Sequence, residues 1–175
     1  ARLLDELGCE VRGPGDGEME IEAVDEGNSH ARYDIVRTMR ASICVLGPML
    51  AKRGRATVAM PGGCAIGERP VDIHLRGLRA LGADIELESG NIVATAKRLR
   101  GAKVFLGGPF GSTVLGTANV MSAATLAEGA TVIEQAACEP EIADLADVLN
   151  AMGANISGAG TPRVTIEGVD ALHGV

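Results

Sequence analysis

The sequence is poor in aromatic residues, which make up 2% of its 175 residues, and it contains no tryptophan. Its core must therefore be aliphatic, and binding of single-stranded nucleic acid by base stacking is disfavoured. Basic residues are also in deficit, because 16 Lys and Arg face 23 Asp and Glu, for a formal net charge of −7. This balance argues against a nucleic-acid partner, since phosphate backbones require a basic surface. It leaves open a local basic cleft for a small anion.

Long apolar runs and paired cysteine motifs are absent as well. The most apolar stretch, residues 41–50, is too short to cross a bilayer core of roughly 30 Å, so no membrane association is expected. With only three histidines and no Cys-x-x-Cys, the sequence predicts no metal site, no cofactor and no disulfide framework. No secretory signal opens the chain, and a cytoplasmic location with free thiols is the expectation. The four cysteines are Cys9, Cys44, Cys64 and Cys138.

Helical and strand periodicities alternate along the chain, which predicts an α/β fold. A loop is expected at 24–32, and Gly47-Pro48 should bend the long second helix. Helices are predicted at 3–7, 34–52, 70–81, 113–128 and 141–152. Strands are predicted at 10–12, 19–23, 57–60, 84–87, 91–95, 103–106, 131–134 and 163–167.

An internal repeat organises these elements. The pattern Leu-x-x-Leu/Met-Gly ends at Gly8, Gly82 and Gly153, at intervals of roughly 70 residues. Each unit consists of a strand, a helix, a strand, a helix and two strands, so the chain holds half of one unit and two nearly whole ones. Helices 70–81 and 141–152 should be equivalent, each followed by paired strands. Such units bury both faces only by packing around shared central helices.

One segment departs from the repeat. The interval from Val58 to Pro70 is longer than the matching interval from Val132 to Pro140, and the extra residues fall in a glycine-rich loop that carries Cys64. Arg69 and a helix N-terminus follow the loop, and both favour a thiolate and bind anions. Cys64 is therefore a candidate reactive thiol, although an inert loop cysteine fits the pattern equally well.

The remaining candidates have both structural and functional interpretations. Cys9 stands at the repeat position of Ala83 and is expected in the core, as is Cys44. Arg40 lies in an apolar setting where a guanidinium requires an anionic partner, whereas Arg37 and His74 are expected at the surface. Asp72 suits the first turn of a helix on dipole grounds alone. The second glycine-rich segment, 107–113, resembles a phosphate-binding loop only loosely.

Two stretches carry a specific resemblance. Tyr33-Asp34-Ile35-Val36-Arg37-Thr38-Met39-Arg40-Ala41-Ser42 and Pro61-Gly62-Gly63-Cys64-Ala65-Ile66-Gly67-Glu68-Arg69-Pro70-Val71-Asp72-Ile73-His74 strongly resemble the UDP-N-acetylglucosamine 1-carboxyvinyltransferases, bacterial enolpyruvyl transferases. The residues 124–129 and 139–142 match as well. The resemblance implies an inside-out α/β barrel, with threefold βαβαββ repeats around buried helices in each of two lobes.

The resemblance also implies an activity. These enzymes transfer enolpyruvyl from phosphoenolpyruvate to the 3′-hydroxyl of UDP-N-acetylglucosamine and release phosphate, the first committed step of peptidoglycan synthesis and hence of cell-wall biogenesis, cell shape and division. By resemblance, Cys64 is the general acid and the target of the antibiotic fosfomycin. Arg40 and Arg69 match arginines that contact the anionic substrates. The nucleotide is implied to lie along Arg69, Pro70, Val71, Asp72 and Ile73, and Thr113 and Val114 are the nearest equivalents of a second nucleotide loop.

The chain departs from this family in extent. An N-terminal Lys-Asn pair and the second lobe, which supplies a proton-accepting aspartate, have no counterpart among residues 1–175. The chain is therefore expected to be most of the N-terminal lobe, to require the second lobe as its partner and to be inactive alone. Two alternatives stay open: a shikimate-type enolpyruvyl transferase, which lacks the cysteine loop, and a non-catalytic nucleotide-binding repeat domain.

Overall fold

The computed structural model describes residues 1–13, 17–60, 71–109 and 111–175. Cys64, Arg69 and Pro70 lie outside the described residues. The helices are α1 (Arg2–Glu6), α2 (Tyr33–Val36), α3 (Leu46–Arg53), α4 (Asp72–Ala80), α5 (Val114–Ala124) and α6 (Pro140–Ala151), with a 3₁₀ helix at Arg40–Val45. The strands are β1 (Cys9–Arg12), β2 (Glu20–Ala23), β3 (His30–Ala31), β4 (Arg55–Ala59), β5 (Asp84–Glu88), β6 (Asn91–Thr95), β7 (Lys103–Phe105), β8 (Ala130–Glu134), β9 (Asn155–Ser157) and β10 (Arg163–Glu167).

The predicted repeat is confirmed by two four-stranded sheets of identical topology. One sheet has the order β3-β4-β6-β5 and the other the order β7-β8-β10-β9. In each, the first strand runs parallel to the second, and the remaining pairs are antiparallel. A helix follows each of the first two strands, which gives βαβαββ twice. The first unit is represented by α1 and the β1–β2 hairpin.

The equivalence of α4 and α6 is confirmed by how each helix ends. Gly82 follows α4 with φ +92°, and Gly153 follows α6 with φ +100°, a region that favours glycine. The next residue then bonds back to the helix: Ala83 N donates to Leu78 O at 3.2 Å, and Ala154 N to Leu149 O at 2.9 Å. Each helix then leads into an antiparallel strand pair, as predicted.

Helix α5 lies at the centre of the fold. It is apolar on nearly every side and packs against the 3₁₀ helix, α3, α4 and α6. Close approach to α4 depends on Gly77, because a Cβ there would lie 2.4 Å from a methyl group of Val120. These helices and the inner faces of the sheets thereby share one aliphatic core, as the scarcity of aromatics requires.

The predicted long helix over 34–52 is wrong. The chain instead forms α2, the 3₁₀ helix and α3, with Met39 extended between the first two at φ −148° and ψ 110°. At the second junction, the Asn119 carboxamide of α5 takes up the backbone groups that an α-helix would join to each other: its Oδ1 accepts from Gly47 N, and its Nδ2 donates to Ile43 O. A side chain inserted into the helical ladder breaks the helix.

Two smaller predictions also fail. The expected loop at 24–32 contains β3, which pairs in parallel with β4 through His30 and Ala31. Two residues are too few for a periodic signal. Cys9 is only half-buried, although it was expected in the core, because its strand belongs to a two-stranded sheet. Cys44 is also half-buried but packs against the core, in line with its expected position.

Candidate functional site

The second glycine-rich segment is tied to the start of α4. Ile73 Cδ1 lies 2.7 Å from where a Cβ on Gly108 would stand, so a side chain at Gly108 would displace the end of the Ile73 side chain. Arg76, one turn further along α4, donates to the carbonyls of Phe105 at 3.1 Å and Gly107 at 2.7 Å. The path of the chain after β7 is therefore set by α4. Arg76 belongs to none of the motifs that the sequence offers as candidates, and its role is visible only from these contacts.

The same segment leads into the first turn of α5. Thr113 is the N-cap, and its Oγ1 accepts a hydrogen bond from Gly116 N at 3.2 Å. Thr113 and Val114 are both half-buried. The 3₁₀ helix also approaches this turn, because Cys44 Sγ lies 4.0 Å from Leu115 O. The beginnings of α4 and α5 and the 3₁₀ helix therefore meet at one end of the core.

His74 connects these elements, contrary to the expectation that it lies at the surface. It is 2% exposed, and its Nδ1 lies 3.1 Å from Asn119 Nδ2. Since that amide nitrogen donates, the imidazole accepts through Nδ1 and is neutral. Burial and, to a smaller extent, the positive charge of Arg40 lower the pKa of His74 to about 4, against a smaller opposing effect of Asp72. Arg40 therefore acts on the first turn of α4 from the start of the 3₁₀ helix.

The structure thus brings together the six site residues predicted from the sequence that lie among the described residues. Arg40 is half-buried, Val71 is buried, Ile73 is half-buried and Asp72 is exposed. Thr113 and Val114 complete the set. The six residues lie on three segments, which are the 3₁₀ helix, the start of α4 and the start of α5, and these segments contact one another. Their arrangement combines a cation, the N-termini of α4 and α5 and a glycine-rich backbone, a set of groups that suits a phosphorylated ligand.

The thiols outside the glycine–cysteine loop have ordinary surroundings. Burial raises the pKa of Cys44 to about 11, so this thiol is unreactive near neutral pH. Cys138 is exposed, and its sulfur lies 3.7 Å from Ala136 O. Neither cysteine lies in an electropositive setting that the described residues reveal.

The described residues include no cluster of three or more His, Cys, Asp or Glu side chains suited to hold a metal ion. In the same parts of the chain, no helix is both long enough and apolar enough to span a bilayer.

The burial of neutral His74 predicts acid-sensitive stability. The unfolded state takes up a proton below pH 6.5, whereas the folded state does so only near pH 4. Stability should therefore be complete above pH 6.5 and decline as the pH falls towards 4, by about 3 kcal/mol for a shift of this size. Urea unfolding of the full-length protein between pH 7 and 4 measures the decline. His74→Gln should flatten it, and His30→Gln, at an exposed position, should not; an unchanged slope in His74→Gln would contradict the assignment.

Comparison with known proteins shows one consistent set of relatives. The family model described as EPSP synthase (3-phosphoshikimate 1-carboxyvinyltransferase) matches residues 1–175. A UDP-N-acetylglucosamine 1-carboxyvinyltransferase of Methylacidiphilum infernorum is 60% identical over 147 residues, which are 84% of this chain and 35% of that protein. The enzyme of that name from Coxiella burnetii is 55% identical over 173 residues, or 98% of this chain and 39% of that protein.

The fold is shared with solved structures at lower identity. The enolpyruvyl transferase NikO from Streptomyces tendae superposes with a TM-score of 0.80 at 20% identity, covering 98% of this chain and 40% of that one. This likeness confirms the predicted fold class. In each comparison the chain spans about two fifths of the length of the protein that it matches.

Proposed function

This chain belongs to the EPSP synthase family, and on that premise we propose that the full-length protein transfers enolpyruvyl from phosphoenolpyruvate to the 3′-hydroxyl of UDP-N-acetylglucosamine, with release of phosphate. The observation that carries the proposal is the meeting of Arg40, the Val71–Ile73 segment and the Thr113–Val114 turn at one end of the core. These are the segments that the sequence resemblance assigns to the anionic substrates.

The choice of acceptor rests on the relatives. The two enzymes that share 60% and 55% identity carry the name of the UDP-N-acetylglucosamine enzyme. The glycine–cysteine loop also favours this acceptor over a shikimate phosphate, because the shikimate-type enzymes lack it by resemblance. We therefore place the chain in peptidoglycan precursor synthesis.

Each candidate residue has a role in this proposal. Cys64 donates a proton to the methylene carbon of phosphoenolpyruvate, and Arg40 and Arg69 neutralise the charge of the substrates. The nucleotide lies along Pro70, Val71, Asp72 and Ile73. Thr113 and Val114, in the first turn of α5, contact it from the opposite side. A helix N-terminus favours the negative charge of a phosphate.

Residues 1–175 form most of one lobe in this proposal. The remainder of the protein, which in the relatives is more than half of the length, supplies the second lobe and the group that accepts the hydroxyl proton. The cleft between the lobes binds both substrates.

Phosphate release by the full-length protein tests the function. We expect release that requires phosphoenolpyruvate and UDP-N-acetylglucosamine together, with a product heavier than the nucleotide sugar by one enolpyruvyl group. Residues 1–175 alone should release none, because half of the cleft is absent. Turnover with shikimate 3-phosphate in place of the nucleotide sugar would overturn the choice of acceptor, and no turnover with either would overturn the enzymatic function.

A further inference from the structure

The Asn119 carboxamide occupies an unusual position in the core. It is fully buried, and it joins three segments that are distant in sequence. Its Oδ1 accepts from Gly47 N at 2.6 Å, and its Nδ2 donates to Ile43 O at 2.9 Å and contacts His74 Nδ1 at 3.1 Å. Both amide hydrogens and the amide oxygen are thereby satisfied.

The first two bonds set the junction between the 3₁₀ helix and α3. Ile43 O and Gly47 N are four residues apart, which is the spacing of an α-helical hydrogen bond. With Asn119 between them, the segment before Leu46 keeps its 3₁₀ conformation over six residues, longer than such helices usually run. Gly47 permits this insertion, because a Cβ there would lie 2.2 Å from Asn119 O.

The position of Arg40 depends on this junction. A 3₁₀ helix has three residues per turn, so Arg40 lies directly one turn before Ile43. If the segment became α-helical, with 3.6 residues per turn, Arg40 would rotate by about 60° around the axis relative to Ile43. Such a rotation would move the Arg40 guanidinium out of hydrogen-bonding distance of a substrate that it contacts in the present arrangement.

The hydrogen bond between Asn119 and His74 fixes the position of α4 in the same way. His74 stands in the first turn of that helix, two residues after Asp72 and directly after Ile73. Through His74, Asn119 fixes this turn relative to the 3₁₀ helix. Ile43, Gly47 and His74 all belong to the second unit of the repeat, whereas Asn119 belongs to the third.

We propose that Asn119 is a positioning residue, which holds the Arg40-bearing 3₁₀ helix and the Val71–Ile73 turn in the one arrangement that accepts both substrates. The inference rests on the proposed function and deepens it. Asn119 contacts neither substrate in this proposal and acts through Arg40 and His74.

Asn119→Ala in the full-length protein tests the inference. We expect the freed Gly47 N–H to bond Ile43 O directly, and kcat/KM for phosphoenolpyruvate to fall by about tenfold to a hundredfold, because small displacements of binding groups have effects of this order. Asn150→Ala is the matched control. Asn150 also holds a helix to another element through two backbone hydrogen bonds, to Ile156, but in α6, which carries none of the candidate site residues.

Measurements of Tm and of kcat/KM then distinguish a positioning role of Asn119 from a role in stability alone. Both variants should lower Tm, and only Asn119→Ala should lower kcat/KM when both are assayed well below their Tm. Equal kcat/KM in Asn119→Ala and the parent would show that the bonds serve stability alone and would overturn the inference.

If Asn119→Ala does not fold, the isosteric variant Asn119→Asp provides the test. Its carboxyl group keeps an acceptor for Gly47 N but cannot make both donations of the amide, so it should lower kcat/KM as well, and parent-like kcat/KM would overturn the proposal. An inactive parent would instead show that the proposed function is wrong, and the inference with it.

Discussion

Cys64→Ser in the full-length protein should lower turnover by about a hundredfold to ten-thousandfold, the usual contribution of a general acid. A serine hydroxyl holds its proton too tightly to donate it to carbon near neutral pH. A carboxylic acid is a better donor, so Cys64→Asp should retain more activity than Cys64→Ser. Steady-state kinetics on the parent and both variants measures the difference.

Alkylation by fosfomycin tests the role of Cys64 independently of turnover. Mass spectrometry after brief treatment should find the label on Cys64, and both Cys64 variants should escape it. Cys44 serves as the buried control, since the pKa of about 11 keeps its thiol protonated, and Cys138 is the exposed control. Label found mainly on Cys44 or Cys138, or full turnover in Cys64→Ser, would refute the role of Cys64.

Gly47→Ala should lower the free energy of unfolding by about 3 kcal/mol or more, which is exceptional for the addition of one methyl group. The added Cβ would stand 2.2 Å from Asn119 O and 2.6 Å from Asn119 Oδ1. The first of these atoms is backbone, so relief requires a shift of the buried helices α3 and α5, and strain of this kind in a packed core is strongly destabilising. Denaturant unfolding measures the loss.

Gly174→Ala is the control for that measurement. No atom lies within 4 Å of a Cβ at Gly174, and the change should leave the free energy of unfolding within about 0.5 kcal/mol of the parent. Equal stability of the Gly47 and Gly174 variants would mean that α3 and α5 do not approach each other this closely.

The repeat was predictable from the sequence because its signals are local. A glycine with positive φ ends α4 and α6, and Ser89-Gly90, with φ of 47° and 79°, forms the predicted hairpin turn. Each signal depends on a few neighbouring residues, and the repeat supplies it more than once. Topology then follows from the pairing of the short strands within each unit.

The junction between the 3₁₀ helix and α3 lies beside Gly47-Pro48, where the sequence predicts a bend, but the side chain that occupies this junction has no local signal. It is the carboxamide of a residue 72 positions away from Gly47, and no periodicity within the segment reveals it. The error at His74 has the same origin, since the polar partner that makes burial acceptable lies 45 positions away. A hint was Asn119 itself, a carboxamide in a mostly apolar helix.

The resemblance named the site residues, and geometry adds the reason that six of them lie together. Arg40, Val71, Asp72, Ile73, Thr113 and Val114 are scattered along the chain and converge because α4 and α5 begin at the same end of the core. Cys64, Arg69 and Pro70 lie outside the described residues, so their place in the site remains a prediction from sequence.

The two complete units also show how a duplicated scaffold can diverge. In the third unit, the connection from β8 to α6 packs against the core. Ala136 N donates a hydrogen bond to Pro162 O, and Ala137 N donates one to Thr117 Oγ1. Both alanines are buried, so added residues there would disrupt the packing. The matching connection of the second unit is longer and carries Cys64. The shared architecture therefore accommodates extra length in the second unit at a point where the third unit has no room for it, and Cys64 is carried in that extra length.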